Sequence, residues 1–468
     1  MLLCASGGCA PVAAPSPSSV AAPSAPTSTP TAQSLLDDCA GESAVSVVHH
    51  AIDLSLGVAP SSLAIAISGQ GDVRVRARRE TTAIALDAPF LRVSEISTAT
   101  GPLRYQHTGD RICITLPRAL PAGAELTIHL VWEVPTDRDS PHVAADQIWA
   151  GYSASSWMPT LQDPAQRATL ALRITAPADW KVAAAGQASS SPPVVVGDRI
   201  TRSFTLERPS PPFLYAFAAG RFDEATLAVD GVTLRALGPA SANLQGALAI
   251  TAPMLRFLHA HTGAPFPGAE YTQVFVRGDA AQEAAGLALL SADALDEVRK
   301  DPTEDWIFSH ELAHQWFAWM VPCADFSDFW LNEGFATFLV AAVKEERWGR
   351  PAYERELGLW RKRSAKVHAD GRDAALSLSP PGAPPPPPPR ESALQPRGVT
   401  YSRGALVLDK LRGELGDAVF WSGIRRYVND RAGKGARSED LRAALEAASG
   451  RDLRPFFARW VYASAPDL

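Results

Sequence analysis

The chain of 468 residues has no apolar run long enough to cross a membrane as a helix; the best stretch, Phe335 to Val343, is nine residues against the ~18 a span needs. Lysine is scarce, seven of 44 basic residues, and the longest basic run is Arg361-Lys362-Arg363. With a formal net charge of -6 the basic face that nucleic acid requires is missing, so no nucleic-acid partner is expected. Only five cysteines occur, Cys4, Cys9, Cys39, Cys113 and Cys323, widely spaced and without a Cys-x-x-Cys pair. That excludes a small disulfide scaffold and leaves the redox compartment open. What the chain does have is 46% hydrophobic residues over a length that allows two to four units with cores of their own.

Residues 1–40 form an Ala/Pro/Ser leader whose composition cannot bury a core. Its opening is similar to the end of a signal peptide, with Cys9 followed by a tether, but a basic n-region is absent. Export or envelope tethering through a lipid or signal-type N-terminal anchor is therefore one expectation, and a plain leader on a cytoplasmic protein is the other. Over 41–224 the pattern has period two: Leu126, Ile128, Leu130, Trp132 and Val134 alternate with other residues, as do Leu170, Leu172 and Ile174. Gly69-Gln70-Gly71, Pro121-Ala122-Gly123 and Asp230-Gly231 read as turns between strands, which predicts an antiparallel β-sheet N-terminal domain.

Residues 225–468 turn helical. Ala242 to His261 predicts one helix stopped by Gly263, followed by a strand over Thr272–Arg277. Asp301, Pro302 and Glu304 read as an N-cap, first turn and capping box for a helix that runs through His310 and His314 until Pro322. The next helix spans about Phe329 to Arg347, and three more follow over Ala405–Gly416, Ala418–Arg431 and Ser438–Ala448. Eight prolines between Pro380 and Pro389 predict a polyproline loop insertion over 380–390 that projects from the surface.

His310-Glu311-Leu312-Ala313-His314 carries the chemistry. Residues four apart share a helix face, so both imidazoles can reach one cation, and Glu311 can reach a water beside it. Glu333 follows His314 by 19 residues on the next predicted helix, and an antiparallel helix pair returns its carboxylate to the histidines. Two His and one Glu leave a zinc ion an open fourth position.

The segment His310–Phe317, HELAHQWF, with Leu331-Asn332-Glu333-Gly334-Phe335-Ala336, resembles the aminopeptidase N and leukotriene hydrolase group of gluzincin zinc peptidases, peptidase family M1. Ala280-Ala281-Gln282-Glu283-Ala284-Ala285-Gly286-Leu287 stands where that family has Gly-Ala-Met-Glu-Asn-x-Gly-Leu, and Tyr401-Ser402-Arg403-Gly404-Ala405 resembles its Tyr-x-Lys-Gly-Ala. The likeness covers about 45–468. It implies a β-sheet domain followed by a mainly helical, thermolysin-like (α+β) zinc peptidase domain, in a short form without the family's large C-terminal helical domain.

On this resemblance one Zn2+ per chain is held by His310, His314 and Glu333, and Glu311 is the general base. Tyr401 is the electrophilic phenol, and Glu283 with Ala281 binds the N-terminal end of a peptide substrate. Gln282 and Ala284 depart from the family motif, and Ile148–Tyr152 offers no acid or amide as a second amine ligand. The expected activity is aminopeptidase hydrolysis. A related zinc hydrolase (endopeptidase, or one acting on another amide or an epoxide) and a non-catalytic binding module on the same fold are the alternatives. Preferred residue, oligomeric state and compartment are open.

Overall fold

The structure, a computed structural model, describes residues 39, 43–58, 65–136, 140–382 and 395–464. The leader up to residue 38 and the polyproline run beyond Gly382 lie outside the described residues.

The first half is sheet. Strands β1 (Val45–Val58), β2 (Ile65–Ala77), β3 (Arg92–Thr98), β4 (Glu125–Val134), β5 (Ala168–Pro177) and β6 (Arg199–Ser210) lie in the spatial order β6-β5-β1-β2-β4-β3. Along β4 the alternation buries Ile128, Leu130, Trp132 and Val134, as the period-two pattern requires. One expectation is corrected: β1 and β5 pair in parallel, while the other neighbours are antiparallel. These two strands are far apart in sequence, so no hairpin dictates their relative direction.

A second correction concerns Gly69-Gln70-Gly71, which is no turn but the middle of β2. A Cβ on Gly69 would stand 2.3 Å from the Trp132 indole, and one on Gly71 would stand 2.2 Å from the Ala51 carbonyl oxygen. Gly69 makes room for Trp132, which is fully buried and donates through Nε1 to the Trp157 carbonyl at 2.9 Å, and Gly71 makes room for the backbone of β1. Pro121–Gly123 and Asp230–Gly231 do turn, with φ of 82° at Gly123 and 86° at Gly231. Cys39 and Cys113 form a disulfide, a pairing that sequence spacing did not disclose.

The second sheet runs β7 (Asp223–Val229), β8 (Val232–Gly238), β9 (Glu270–Val276), β11 (Leu287–Ser291) and β10 (Ala281–Ala284) across its width, with β8, β9 and β11 parallel and β10 antiparallel at the edge. Nine helices are described around it: α1 (Leu244–Thr262), α2 (Asp293–Lys300), α3 (Trp306–Ala313), α4 (Trp330–Trp348), α5 (Arg350–Ala369), α6 (Gly404–Leu415), α7 (Asp417–Arg431), α8 (Ser438–Ser449) and α9 (Arg454–Trp460). One connected apolar core runs from the first sheet into the helices. The expected order, sheet first and helices after, is the order observed.

The capping box proposed at Asp301 does not form. Asp301 closes the end of α2, and its Oδ1 accepts from the Thr303 N–H and hydroxyl, so the chain turns before α3 begins at Trp306. Nor does α3 continue regularly to Pro322: beyond Ala313 the backbone widens into a π-type turn over Gln315–Met320, with Phe317 at φ -109°, ψ 52°. Helices α2, α5 and α9 were not anticipated. Pro351 sits in the first turn of α5, where a missing N–H costs nothing.

Candidate active site

Helix α3 and its first residue beyond, His314, put His310 and His314 one turn apart with their Nε2 atoms 3.2 Å from each other. Glu333, in the first turn of α4, brings Oε2 to 3.5 Å from both. All three side chains are buried. Ligand atoms roughly 2.0–2.1 Å from a tetrahedral zinc ion lie about 3.3 Å from one another, so this triangle has the dimensions of three corners of a zinc site. Glu333 Oε2 is buried with no hydrogen-bond partner among the described residues, the state of an atom reserved for a cation. The residues therefore fit zinc.

Flanking aromatic and amide residues hold α3 and α4 together. Phe317 stacks on Phe335 at 4.2 Å between centroids, and Phe335 stacks on Tyr427 at 5.7 Å. Trp316 donates through Nε1 to the Ala264 carbonyl, and Asn332 Oδ1 accepts from the Cys323 N–H at 3.0 Å, tying the loop after the π turn to α4. On the far side α4 meets α6 at two glycines: a Cβ on Gly334 would stand 3.1 Å from Gly404 Cα, and the reverse distance is 3.0 Å. That backbone-to-backbone contact brings the turn Gly398–Arg403 against Glu333, and with it Tyr401, whose ring lies parallel to the His310 imidazole at 5.9 Å. Buried Arg403 anchors the same turn through Asp373 and the Ala374 carbonyl.

Glu311 and Glu283 complete the group, each within 4.8 Å of a His314 ring nitrogen and of each other. Glu283 arrives on the edge strand β10. Its position depends on Gln315, a residue the sequence reading passed over. The Gln315 side-chain amide accepts from the Gly286 N–H at 2.9 Å and donates to the Ala284 carbonyl at 3.1 Å, stitching the β10–β11 turn to the metal helix. Gly286 turns there at φ 72°, a conformation that favours glycine. Gln282 donates to Glu283 Oε2 at 2.7 Å, which leaves Glu283 Oε1 buried and, like Glu311 Oε2, unpartnered among the described residues. A Cβ on Gly151 would meet Gln282 Cγ at 2.8 Å, so the segment around Ile148–Tyr152 packs on Gln282, and the amide beside Glu283 is supplied from β10. Ala281 lines the same cleft.

Burial raises the Glu311 carboxyl well above its usual range, reinforced by Glu283 and Glu333, and burial likewise raises Glu283 to about 7. Burial lowers the His310 imidazole. At His314 burial acts in the same direction but is outweighed by Glu283 and Glu333, which raise it to about 10. At Glu333 burial is outweighed by His314 and His310, which hold the carboxyl down at about 2. Burial, with Glu333 and Glu283 nearby, raises the Tyr401 phenol, which remains a hydrogen-bond donor at neutral pH. The whole group opens into a cleft of about 530 Å³.

Residues 247–460 match the model of the peptidase family M1 domain. Aminopeptidase N of Streptomyces lividans is 29% identical over 213 residues, 42% of this chain and 23% of that protein. Aminopeptidase M1 of Arabidopsis thaliana is 27% identical over 317 residues, 64% and 35% of the two chains. Human aminopeptidase N is 28% identical over 309 residues, 61% and 31%. The chain thus spans about a third or less of these relatives' lengths. In architecture it is similar to the M1 zinc metallopeptidase from Deinococcus radiodurans, with a TM-score of 0.71 at 24% identity over 91% of this chain and 95% of that one. The HELAHQWF helix, Glu333 and the Tyr401 turn, gathered around one point, all lie within the region 247–460 that is similar to the peptidase family M1 domain.

Proposed function

We propose that the chain is a zinc aminopeptidase, which removes N-terminal residues from peptides. The observation that carries this reading is the convergence of His310, His314 and Glu333 on one point, with two further buried carboxylates, Glu311 and Glu283, directed at the same space. Peptide substrates also agree with the Deinococcus protein, a mutant of which has been solved with a Tyr-Ser-Ala substrate.

His310, His314 and Glu333 would hold the ion. When bound, zinc supplies Lewis acidity, bringing the pKa of water from roughly 16 to about 7. Glu311 Oε2 takes a proton from the attacking water and returns it to the leaving amine. Tyr401 donates its O–H to the carbonyl oxygen as negative charge develops there. Glu283 Oε1 receives the substrate's N-terminal ammonium and so measures one residue from the chain end. Secretion or envelope tethering fits the Cys39–Cys113 disulfide, a bond that persists in oxidising compartments.

The test is a pair of aminoacyl p-nitroanilides, one with a free amine and one N-acetylated, with Glu311→Gln as the control. Hydrolysis confined to the free amine and lost in Glu311→Gln supports the reading. Equal hydrolysis of the acetylated substrate would overturn its exopeptidase part, and no hydrolysis of either by zinc-loaded protein would overturn the enzyme itself.

A further inference from the structure

The cleft is electrostatically two-ended. Beyond the metal group its wall is made by α5 and by the start of the Tyr401 turn, and there it is basic: Arg363, Lys366, Arg372 and Arg397 all line it. Gly398 explains why these groups come together. A Cβ at Gly398 would lie 2.3 Å from Val367 Cγ2 and 3.0 Å from the Arg363 carbonyl oxygen, so the backbone at Gly398 lies flush on α5, and Arg397 and Arg363 line the same cleft. Their partners differ. Lys366 and Arg372 share Asp370, and Arg403 behind them takes Asp373. Among the described residues Arg363 and Arg397 have no carboxylate partner, and both are exposed on the cleft wall. The Arg397 guanidinium lies over the Tyr401 ring, 5.4 Å from its centroid, next to the reacting group.

An adjoining cleft of about 700 Å³ shares Ala281, Trp306 and Arg397 with the first and is acidic, with Asp279, Asp293 and Glu297 in its lining. Glu283, a buried carboxylate, lines the first cleft at the metal group. A short peptide in water carries a positive amine at one end and a negative carboxylate at the other. Three extended residues span roughly 10 Å, the scale of a cleft of this size.

We propose that Arg363 and Arg397 form an anion subsite for a carboxylate of the substrate, so that the preferred substrates are short peptides held by both charged ends. This rests on the aminopeptidase reading and deepens it: Glu283 fixes the amine, and the two arginines, whose planar guanidinium groups match a carboxylate bidentately, fix the acid. The carboxylate has two sources, the C-terminus of a di- or tripeptide or an acidic side chain.

The experiment compares kcat/KM of the zinc-loaded full chain for Leu-Gly-Gly and Leu-Gly-Gly amide, and for Leu-Glu-Gly amide against Leu-Gln-Gly amide. The expected result is a preference of about tenfold for the carboxylate-bearing member of at least one pair, carried mainly by KM. The first pair reports the C-terminus, the second the side chain. In Arg363→Ala/Arg397→Ala the preference falls to near one, and Arg363→Lys/Arg397→Lys restores part of it, which a folding defect would not do. Ratios near one in both pairs for the wild type, or an unchanged ratio in the alanine variant, would overturn the subsite.

Calorimetric binding of the same four peptides to zinc-loaded Glu311→Gln separates the two proposals. An acid-over-amide preference in binding without any turnover by the wild type leaves the subsite standing and removes the enzyme. Turnover of an aminoacyl anilide with no preference in either assay does the reverse.

Discussion

Gln315 makes a demanding test of how the site is built, because it touches neither the metal point nor the cleft. Replacing it with leucine keeps the volume and removes both hydrogen bonds to the β10–β11 turn, stranding the Gly286 N–H and the Ala284 carbonyl in a buried place. An orphaned buried polar group costs about 1–3 kcal/mol, and a carbonyl tolerates it better than an N–H, so Gln315→Leu should lose about 2–4 kcal/mol of stability. A fold of ordinary stability survives that loss. The functional effect is separable. With the turn released from α3, Glu283 loses its fixed distance to His314, so KM for a free-amine substrate should rise about tenfold while kcat changes less. Urea unfolding at fixed slope gives the first number and steady-state kinetics on an aminoacyl anilide the second. A stability loss under about 0.5 kcal/mol with KM unchanged would show that the sheet alone holds the turn, and the argument from Gln315 would be wrong.

Other perturbations bear on neighbouring steps. Glu311→Gln should lower kcat by about 10²–10⁴ with zinc content unchanged by elemental analysis, and Tyr401→Phe should lower it by about 10²–10³ with the same thermal midpoint. Chelation should abolish activity and lower the thermal midpoint, with both restored by zinc; at a thousandfold excess of ion over its dissociation constant the linked stabilisation is about 4 kcal/mol. A chelated protein with an unmoved midpoint would count against a site closed by His310, His314 and Glu333. His50 predicts a pH effect far from the site. Its ring is fully buried edge-on to Tyr215, neither nitrogen has a hydrogen-bond partner among the described residues, and burial, with help from His49, depresses its pKa to about 3. The unfolded chain binds that proton near pH 6.5, so between pH 6.5 and about 3 the unfolded state holds more protons. Stability from this group is complete above pH 6.5 and falls by up to ~1.4 kcal/mol per pH unit as the solution is acidified. His50→Phe should flatten that slope in urea titrations.

What the sequence disclosed of the site is what depends on local spacing. His310 and His314 are one turn apart in any helix, and an antiparallel packing of α3 with the next helix, across the residues 314–329 between them, returns Glu333 to the pair. The period-two strands were legible for the same reason, since alternation records which face is buried. Where tertiary contacts decide, the signal was absent or misleading. Gly69 and Gly71 look like a turn and are instead clearance for Trp132 and for the neighbouring strand. Asp301 has the composition of a helix cap, but its oxygen is taken by Thr303. Gln315 has no pattern around it to mark it, because its partners, Ala284 and Gly286, lie about 30 residues upstream. The Arg363–Arg397 pair joins two segments through a glycine contact, and neither segment announces the other.

Charge explains why such a cluster is tolerable inside a folded domain. Glu283, Glu311 and Glu333 present three carboxylates to one buried space, and each retains an oxygen without a hydrogen-bond partner among the described residues. Ionised together and uncompensated, they would repel one another at short range in a poorly solvated place, a cost of several kcal/mol per group. Without metal the His314 imidazolium, its pKa raised to about 10 by Glu283 and Glu333, offsets only one of the three charges, and His310, lowered by burial, offsets none. On the proposed reading a zinc ion contributes two positive charges and the substrate ammonium one, so the three carboxylates reach neutrality only when metal and peptide are both in place. The same arithmetic opposes an acetylated substrate. Lacking the third positive charge, it leaves Glu283 either ionised against its neighbours or protonated and unable to anchor it, so discrimination against blocked peptides follows from the charge balance of the pocket as well as from the reach of Glu283.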